Sequence, residues 1–188
     1  MLAIWIVLGI IAILIIAFVA IYNSLVRLRN QVKNAWAQID VQLKRRHDLI
    51  PNLIETVKGY MKHERETLES ITKARNLAQQ ATSAAPGERA KAEGELSSAL
   101  TRLLAVAERY PDLKASQNFM ALQEELASTE NKISFSRQFY NDSVLNYNNQ
   151  TQVFPSNIIA GMAGFKPGEF FEVTVAEERE APKVSFTS

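Results

Sequence analysis

The sequence predicts an all-α protein: an N-terminal transmembrane helix, an up-and-down antiparallel bundle of three to four long helices, and a short extended C-terminal tail. Three observations carry that prediction. The first 26 residues hold no charged side chain, and Leu2 to Ile21 is almost wholly apolar. From Leu25 onward apolar residues recur at threes, fours and sevens, the spacing of a helix face. The breaks in those rows coincide with proline, at Pro86-Gly87, Tyr110-Pro111 and Phe154-Pro155.

The apolar run, about 20 residues, suffices to cross a hydrocarbon core about 30 Å thick. Trp5 and Tyr22 stand near its ends, where amphipathic rings prefer to sit. A cleaved signal peptide is one alternative, but its basic n-region and small-residue cleavage site are missing from the run. A buried core helix is another, but such a helix usually carries some polar face. Arg27, Arg29 and Lys33 follow the span, with Lys44, Arg45 and Arg46 a little further on. Lys and Arg stay on the cytoplasmic side. The expected placement is therefore the inner cell membrane, single-pass, with the N-terminus outside and the helical domain in the cytoplasm. The expected divisions are 1–22 for the anchor, 23–157 for the bundle and 158–188 for a short helix, a loop and an extended tail.

Beyond the span, Leu25, Val32, Ile39, Arg46, Leu53 and Tyr60 recur at sevens. Leu28, Ala35, Gln42 and Leu49 interleave, and Trp36, Leu43, Ile50 and Val57 form a flanking row. Three rows make a face wider than a two-stranded seam, which favours a bundle. Pro51 removes a helix hydrogen bond and crowds the preceding turn, so a kink is expected there, with Asp48 capping the segment after it. A full break is the alternative. A second helix is expected from Glu88 to Tyr110, with Leu96, Ala99, Leu103, Ala107 and Tyr110 inward. A third is expected from Ser116 to Gln152, where Phe119, Leu126, Ile133, Tyr140, Tyr147 and Phe154 recur at sevens. Ile158 to Ala163 suggests a short helix, and Phe170 to Val175 a short extended segment.

Chemistry finds little to work with. The chain has no Cys and two His, His47 and His63, neither three residues after a Glu. Structural zinc usually needs four Cys or His ligands, and a di-iron bundle needs paired Glu-x-x-His motifs. There is no nucleophile elbow and no phosphate-cradling glycine loop. No metal, cofactor or small-molecule substrate is expected, and both histidines are expected at the surface or rim. From Asn23 to Arg75 there are eleven Lys and Arg against six Asp and Glu, while the tail from Lys166 has three against five. That membrane-proximal excess suits anionic lipid headgroups. It is too weak, and too poor in interleaved aromatics, for a nucleic-acid partner.

Arg46 is the odd residue, because it falls in an apolar row with Gln42 one turn before it. A charge on an inner face must be paired or it is costly. The expected arrangement is a buried polar layer of Gln42, Arg46 and Glu130 that fixes helix register, with Asp48 as the other candidate partner; the alternatives are that Arg46 snorkels to the surface or lines an anion or partner site. The row of Trp36, Leu43, Ile50 and Val57 serves either the bundle's own core or a neighbouring copy. The tail residues Phe170, Phe171, Val173 and Val175 could add a strand to a partner's sheet edge.

Several segments resemble the LemA family. They are Arg27-Leu28-Arg29-Asn30, Ala35-Trp36-Ala37-Gln38-Ile39-Asp40-Val41-Gln42-Leu43-Lys44-Arg45-Arg46, Asp48-Leu49-Ile50-Pro51-Asn52-Leu53 and Val57-Lys58-Gly59-Tyr60. Later in the chain Tyr110-Pro111-Asp112-Leu113-Lys114-Ala115, Glu130-Asn131-Lys132-Ile133, Arg137-Gln138-Phe139-Tyr140-Asn141 and Phe154-Pro155-Ser156-Asn157 are similar too, as are Gly164-Phe165 and Pro182-Lys183-Val184-Ser185-Phe186. The resemblance implies a membrane-anchored, up-and-down bundle usually described as four-helix, with the fourth helix supplied by a split near Pro51 or by the segment after Pro155. It implies no established activity. The family is often met beside membrane metalloproteases and TPM-domain proteins, which suggests envelope maintenance. Two functions are expected on these grounds: a non-enzymatic, homo-oligomeric scaffold of the cell envelope, or an adaptor for another membrane protein such as a protease.

Overall fold

The computed structural model describes residues 1–172, all of them helix or short connection. Helix α1 runs unbroken from Leu2 to Lys58, so the anchor continues directly into the domain. An 18-residue apolar stretch of α1 is wholly unburied by the rest of the chain, so it is not a core helix and is long and apolar enough to cross a membrane. Its domain half pairs antiparallel with α5 (Gln117–Gln152). Helices α2 (Arg65–Gln80) and α3 (Pro86–Ala107) form a hairpin against the far end of that pair, joined by one turn of 3-10 helix. A four-residue turn, α4 (Pro111–Lys114), links α3 to α5, and α6 (Ser156–Ala163) folds back near the anchor. The bundle is therefore four-helix at its distal end and two-helix near the membrane.

The fourth helix does not arise where proline suggested. α1 passes through Pro51, and the split falls at Gly59–Glu64, eight residues later. Proline at 51 leaves the carbonyl of residue 47 without its helix donor. Arg75 of α2 supplies a substitute, its Nε donating to the His47 carbonyl at 2.9 Å. A tertiary hydrogen bond thus replaces the missing ladder bond, and the helix continues. Asp48 is not a cap; it is exposed and pairs with Lys44 at 2.7 Å.

Burial follows the rows. Ile39, Leu43, Ile50, Leu53 and Val57 of α1 are fully buried. The distal core adds Ile71 and Ala78 of α2, Leu96 and Leu103 of α3, and Phe119 and Leu126 of α5. Nearer the anchor, Leu25 packs with Tyr147, Ile159, Ala160 and Phe165. α3 ends at Ala107 rather than Tyr110, whose hydroxyl reaches Glu64 at 3.1 Å.

After α6, Gly164 adopts the left-handed conformation (φ 71°) that favours glycine at a helix end. The Phe165 amide then bonds the Ala160 carbonyl at 2.9 Å. Residues 165–172 return along α5 without forming a strand, held by two asparagines. Asn148 exchanges both bonds with Gly168, at 2.8 and 3.0 Å. Asn141 does the same with Phe171, at 2.9 and 3.4 Å. Seven helical residues and three extended ones both span about 10 Å, so the spacings match.

Candidate functional site: a buried ion cluster between the helices

Arg46 projects from α1 into the interior and is 1 % exposed. Its guanidinium meets two carboxylates. The Glu93 carboxylate of α3, 4 % exposed, forms a close ion pair with it. Glu130 of α5, 39 % exposed, accepts from Nη1 at 2.6 Å, as does the Ser97 hydroxyl. The Glu93 backbone carbonyl accepts as well, at 3.3 Å. His47 is buried rather than at the rim, with Nε2 3.1–3.2 Å from the Glu93 carboxylate oxygens. Gln42 does not join: among the described residues its buried Oε1 has no hydrogen-bond partner.

Burial pushes the Glu93 carboxyl up. The hydrogen bond from His47 and the charge of Arg46 outweigh that and hold it below its ordinary 4.5. Glu93 is therefore an anion inside the bundle, placed to balance Arg46.

A second pair lies one level closer to the membrane. Arg89 of α3, 2 % exposed, is ion-paired with Asp40 of α1 and bonds the Thr82 carbonyl at 3.3 Å. Its guanidinium lies over the Trp36 ring at 5.2 Å. Trp36 in turn packs on Tyr140 and Phe171, with ring centres 5.2 and 5.8 Å away. Sequence reasoning misses Glu93 and Arg89, yet both lie in α3's own sevenfold rows, with Leu100 and Leu96 respectively.

The two pairs oppose each other in sense, basic on α1 with acidic on α3, then acidic on α1 with basic on α3. Sliding α3 one turn in either direction brings Arg89 towards Arg46 or Glu93 towards Asp40. Either slip juxtaposes like charges at a buried site, so the arrangement encodes register.

The cavity beside this cluster is about 130 Å³, lined by Arg46, Ser97, Glu130 and Arg137 among others. Ligand sites usually enclose about 300–1,000 Å³. Arg46 and Glu93 are paired with each other, although among the described residues Arg46 Nε and Glu93 Oε1 have no hydrogen-bond partner, and the cluster's chemistry is mutual neutralisation. Of the row of Trp36, Leu43, Ile50 and Val57, the last three are fully buried in the molecule's own core and Trp36 packs half-buried against it. Of the tail, Phe171 is buried and Phe170 half-exposed, while Val173 and Val175 lie outside the described residues.

Residues 35–186 match the LemA family. The chain is 30 % identical over 142 residues to Protein LemA of Metamycoplasma hominis, covering 73 % of this chain and 63 % of that protein. It is 25 % identical over 186 residues to Magnetosome protein MamQ 2 of Paramagnetospirillum magneticum, covering 84 % and 68 % respectively. It is 23 % identical over 174 residues to Magnetosome protein MamQ of Magnetospirillum gryphiswaldense, covering 80 % and 64 %.

Proposed function

The chain belongs to the LemA family, and we propose that it works as a non-enzymatic scaffold of the cell envelope whose copies associate side by side in the membrane. The observation that carries this reading is the outward face of α5. Phe135 is 73 % exposed, and Phe139, one turn on, is also exposed. Neither ring belongs to the buried core clusters of the bundle. Anchored copies share one orientation and a high effective concentration, so two aromatic contacts per copy are enough to favour lateral pairing. The buried charges support the reading from the other side, because they are consumed in holding the bundle together.

The test is chemical crosslinking of the tagged full chain in its native membranes. The expected result is a ladder at multiples of 21.1 kDa that fades in Phe135→Ser/Phe139→Ser. A specific observation favours a second reading, an adaptor for another membrane protein, such as a membrane metalloprotease or a TPM-domain protein. An open groove of about 710 Å³ separates α1 from α2 at the distal end, floored by Ile54, Met61, Leu68 and Leu77. Lys58, Lys62, Arg65 and Lys73 rim it beside one carboxylate, Glu69, which pairs with Arg65, a net basic edge that fits an acidic amphipathic helix. A single heavier band holding a different polypeptide, with no ladder, would establish the adaptor and remove the scaffold.

A further inference from the structure

The end of the bundle that faces the anchor carries a second apolar surface. Helix α5 runs antiparallel to α1, with Glu130 beside Arg46 and Tyr147 packed against Leu25. Seven residues beyond Tyr147, about 10 Å at 1.5 Å per residue, the chain reaches the level of the last turns of the apolar run. There it turns at Phe154 and Pro155 into α6. The inner side of α6, Ile159 and Ala160, packs on Leu25 and Ile21. Its outer side does not pack on the protein: Phe154 is 80 %, Ile158 53 % and Met162 76 % exposed. Ile158 and Met162 are one turn apart, so they share a face.

Charge follows the same geography. The chain has no Asp or Glu before Asp40, and between Asp142 and Glu169 its one charged residue is Lys166. Arg27, Arg29 and Lys166 are exposed around this end, with Arg29 over the Phe165 ring at 5.0 Å. Tyr22 meets the same ring edge-on, at 5.8 Å between centres. An apolar surface at the depth of the hydrocarbon boundary, rimmed by cations and, among the described residues, free of carboxylates, has the composition of an interfacial membrane element.

We propose that α6 and the Phe154–Pro155 corner form a foot, which inserts Phe154, Ile158 and Met162 into the same bilayer leaflet from which α1 emerges. Arg27, Arg29 and Lys166 then sit among its anionic headgroups. This rests on the reading of Leu2–Ile21 as a membrane anchor. The foot and the anchor give the domain two attachments, which fix its tilt and rotation on the surface.

The chain has no cysteine, so single thiols can be placed at will. Ile158→Cys, Met162→Cys, Val41→Cys and Ile11→Cys are each made in the full chain. Each variant is spin-labelled and reconstituted in vesicles of phosphatidylcholine and phosphatidylglycerol. Collision with oxygen reports lipid, and collision with a water-soluble nickel chelate reports water. The expected result is that labels at 158 and 162 favour oxygen, as at 11, with the ratio reversed at 41. If 158 and 162 behave like 41 while 11 stays in lipid, the foot is overturned and the anchor stands. If 11 also behaves like 41, the anchor reading falls and takes the foot with it. Shielding of 158 and 162 from both reagents would overturn the foot in favour of a protein cover.

Discussion

The two carboxylates around Arg46 occupy different dielectrics, and that difference ranks them. Removing one member of a buried pair strands the other charge and costs about 3–5 kcal/mol. Arg46→Leu strands Glu93 and should destabilise by about that much. Glu93→Leu strands Arg46 with only the half-exposed Glu130 left, and should cost a similar amount. Glu130→Leu removes a partner that water can replace, and should cost about 1 kcal/mol or less. Arg46→Leu/Glu93→Leu should recover most of the loss, since apolar replacement of a whole pair is often near neutral. Denaturant unfolding of the full chain in detergent micelles, followed by circular dichroism, measures all four. Equal damage from Glu130→Leu and Glu93→Leu would sink the ranking. The same carboxylate gives the fold a pH dependence. The folded state holds Glu93 below its ordinary 4.5, so the unfolded chain binds the extra proton in that interval. The stability this group contributes is present above about pH 4.5 and is lost as pH falls through the folded value. The melting temperature should fall below pH 4.5, and Glu93→Gln should flatten that limb. Arg46 stands out in the sequence because a row of apolar residues contains it. Arg89 and Glu93 interrupt α3's rows in the same way, but the inner face expected for that helix begins only at Leu96. His47 has no such signal: its burial comes from α3 and from the Arg75 bond to its carbonyl, which are tertiary events.

At the scale of elements, α1 shows how a sequence rule can hold locally and be answered elsewhere. Pro51 does free a carbonyl, but Arg75, far along the chain on α2, takes it. No local reading contains that partner, so the break that was the alternative to a kink at Pro51 comes eight residues later, at Gly59. The segment that does break holds Gly59 and Glu64, and Arg65 and Glu66 come after it, so the apolar rows do not continue straight through. The repair predicts a coupled pair of substitutions. Arg75→Met leaves the buried His47 carbonyl without a donor and should cost about 1–3 kcal/mol. Pro51→Ala restores the helix's own N–H to that carbonyl. In the Pro51→Ala background, Arg75→Met should therefore cost less than half as much. A double-mutant cycle on unfolding free energies isolates the term. Additive effects would show that Arg75 serves some other contact. The helix rows themselves are legible because side-chain period is a local property. The return of residues 165–172 along α5 is not, since it depends on Asn141 and Asn148, polar residues on an outward face that carry no hydrophobic signal.

At the scale of the whole molecule, the distribution of charge along α1 makes a prediction about sidedness. The anchor is free of charge for its full length, and the cations Arg27, Arg29, Lys33 and Lys166 all lie at its domain end. Translocating that end would carry Arg27, Arg29 and Lys33 across the bilayer within about three to four helical turns of the span, with Lys166 following, the situation the positive-inside rule disfavours. The domain should therefore face the cytoplasm. Val41→Cys tests this in a chain with no other thiol, because Val41 is exposed on α1 well clear of the apolar run. A membrane-impermeant maleimide should leave intact cells' Val41→Cys unmodified and react once the membrane is opened, while Leu2→Cys should react from outside. The reverse pattern would put the domain outside. The scaffold reading would survive that result, since lateral pairing needs only a shared orientation. The four cations would then stand against the outer leaflet, and their retention there would need the foot's contact with lipid rather than the membrane potential to hold it.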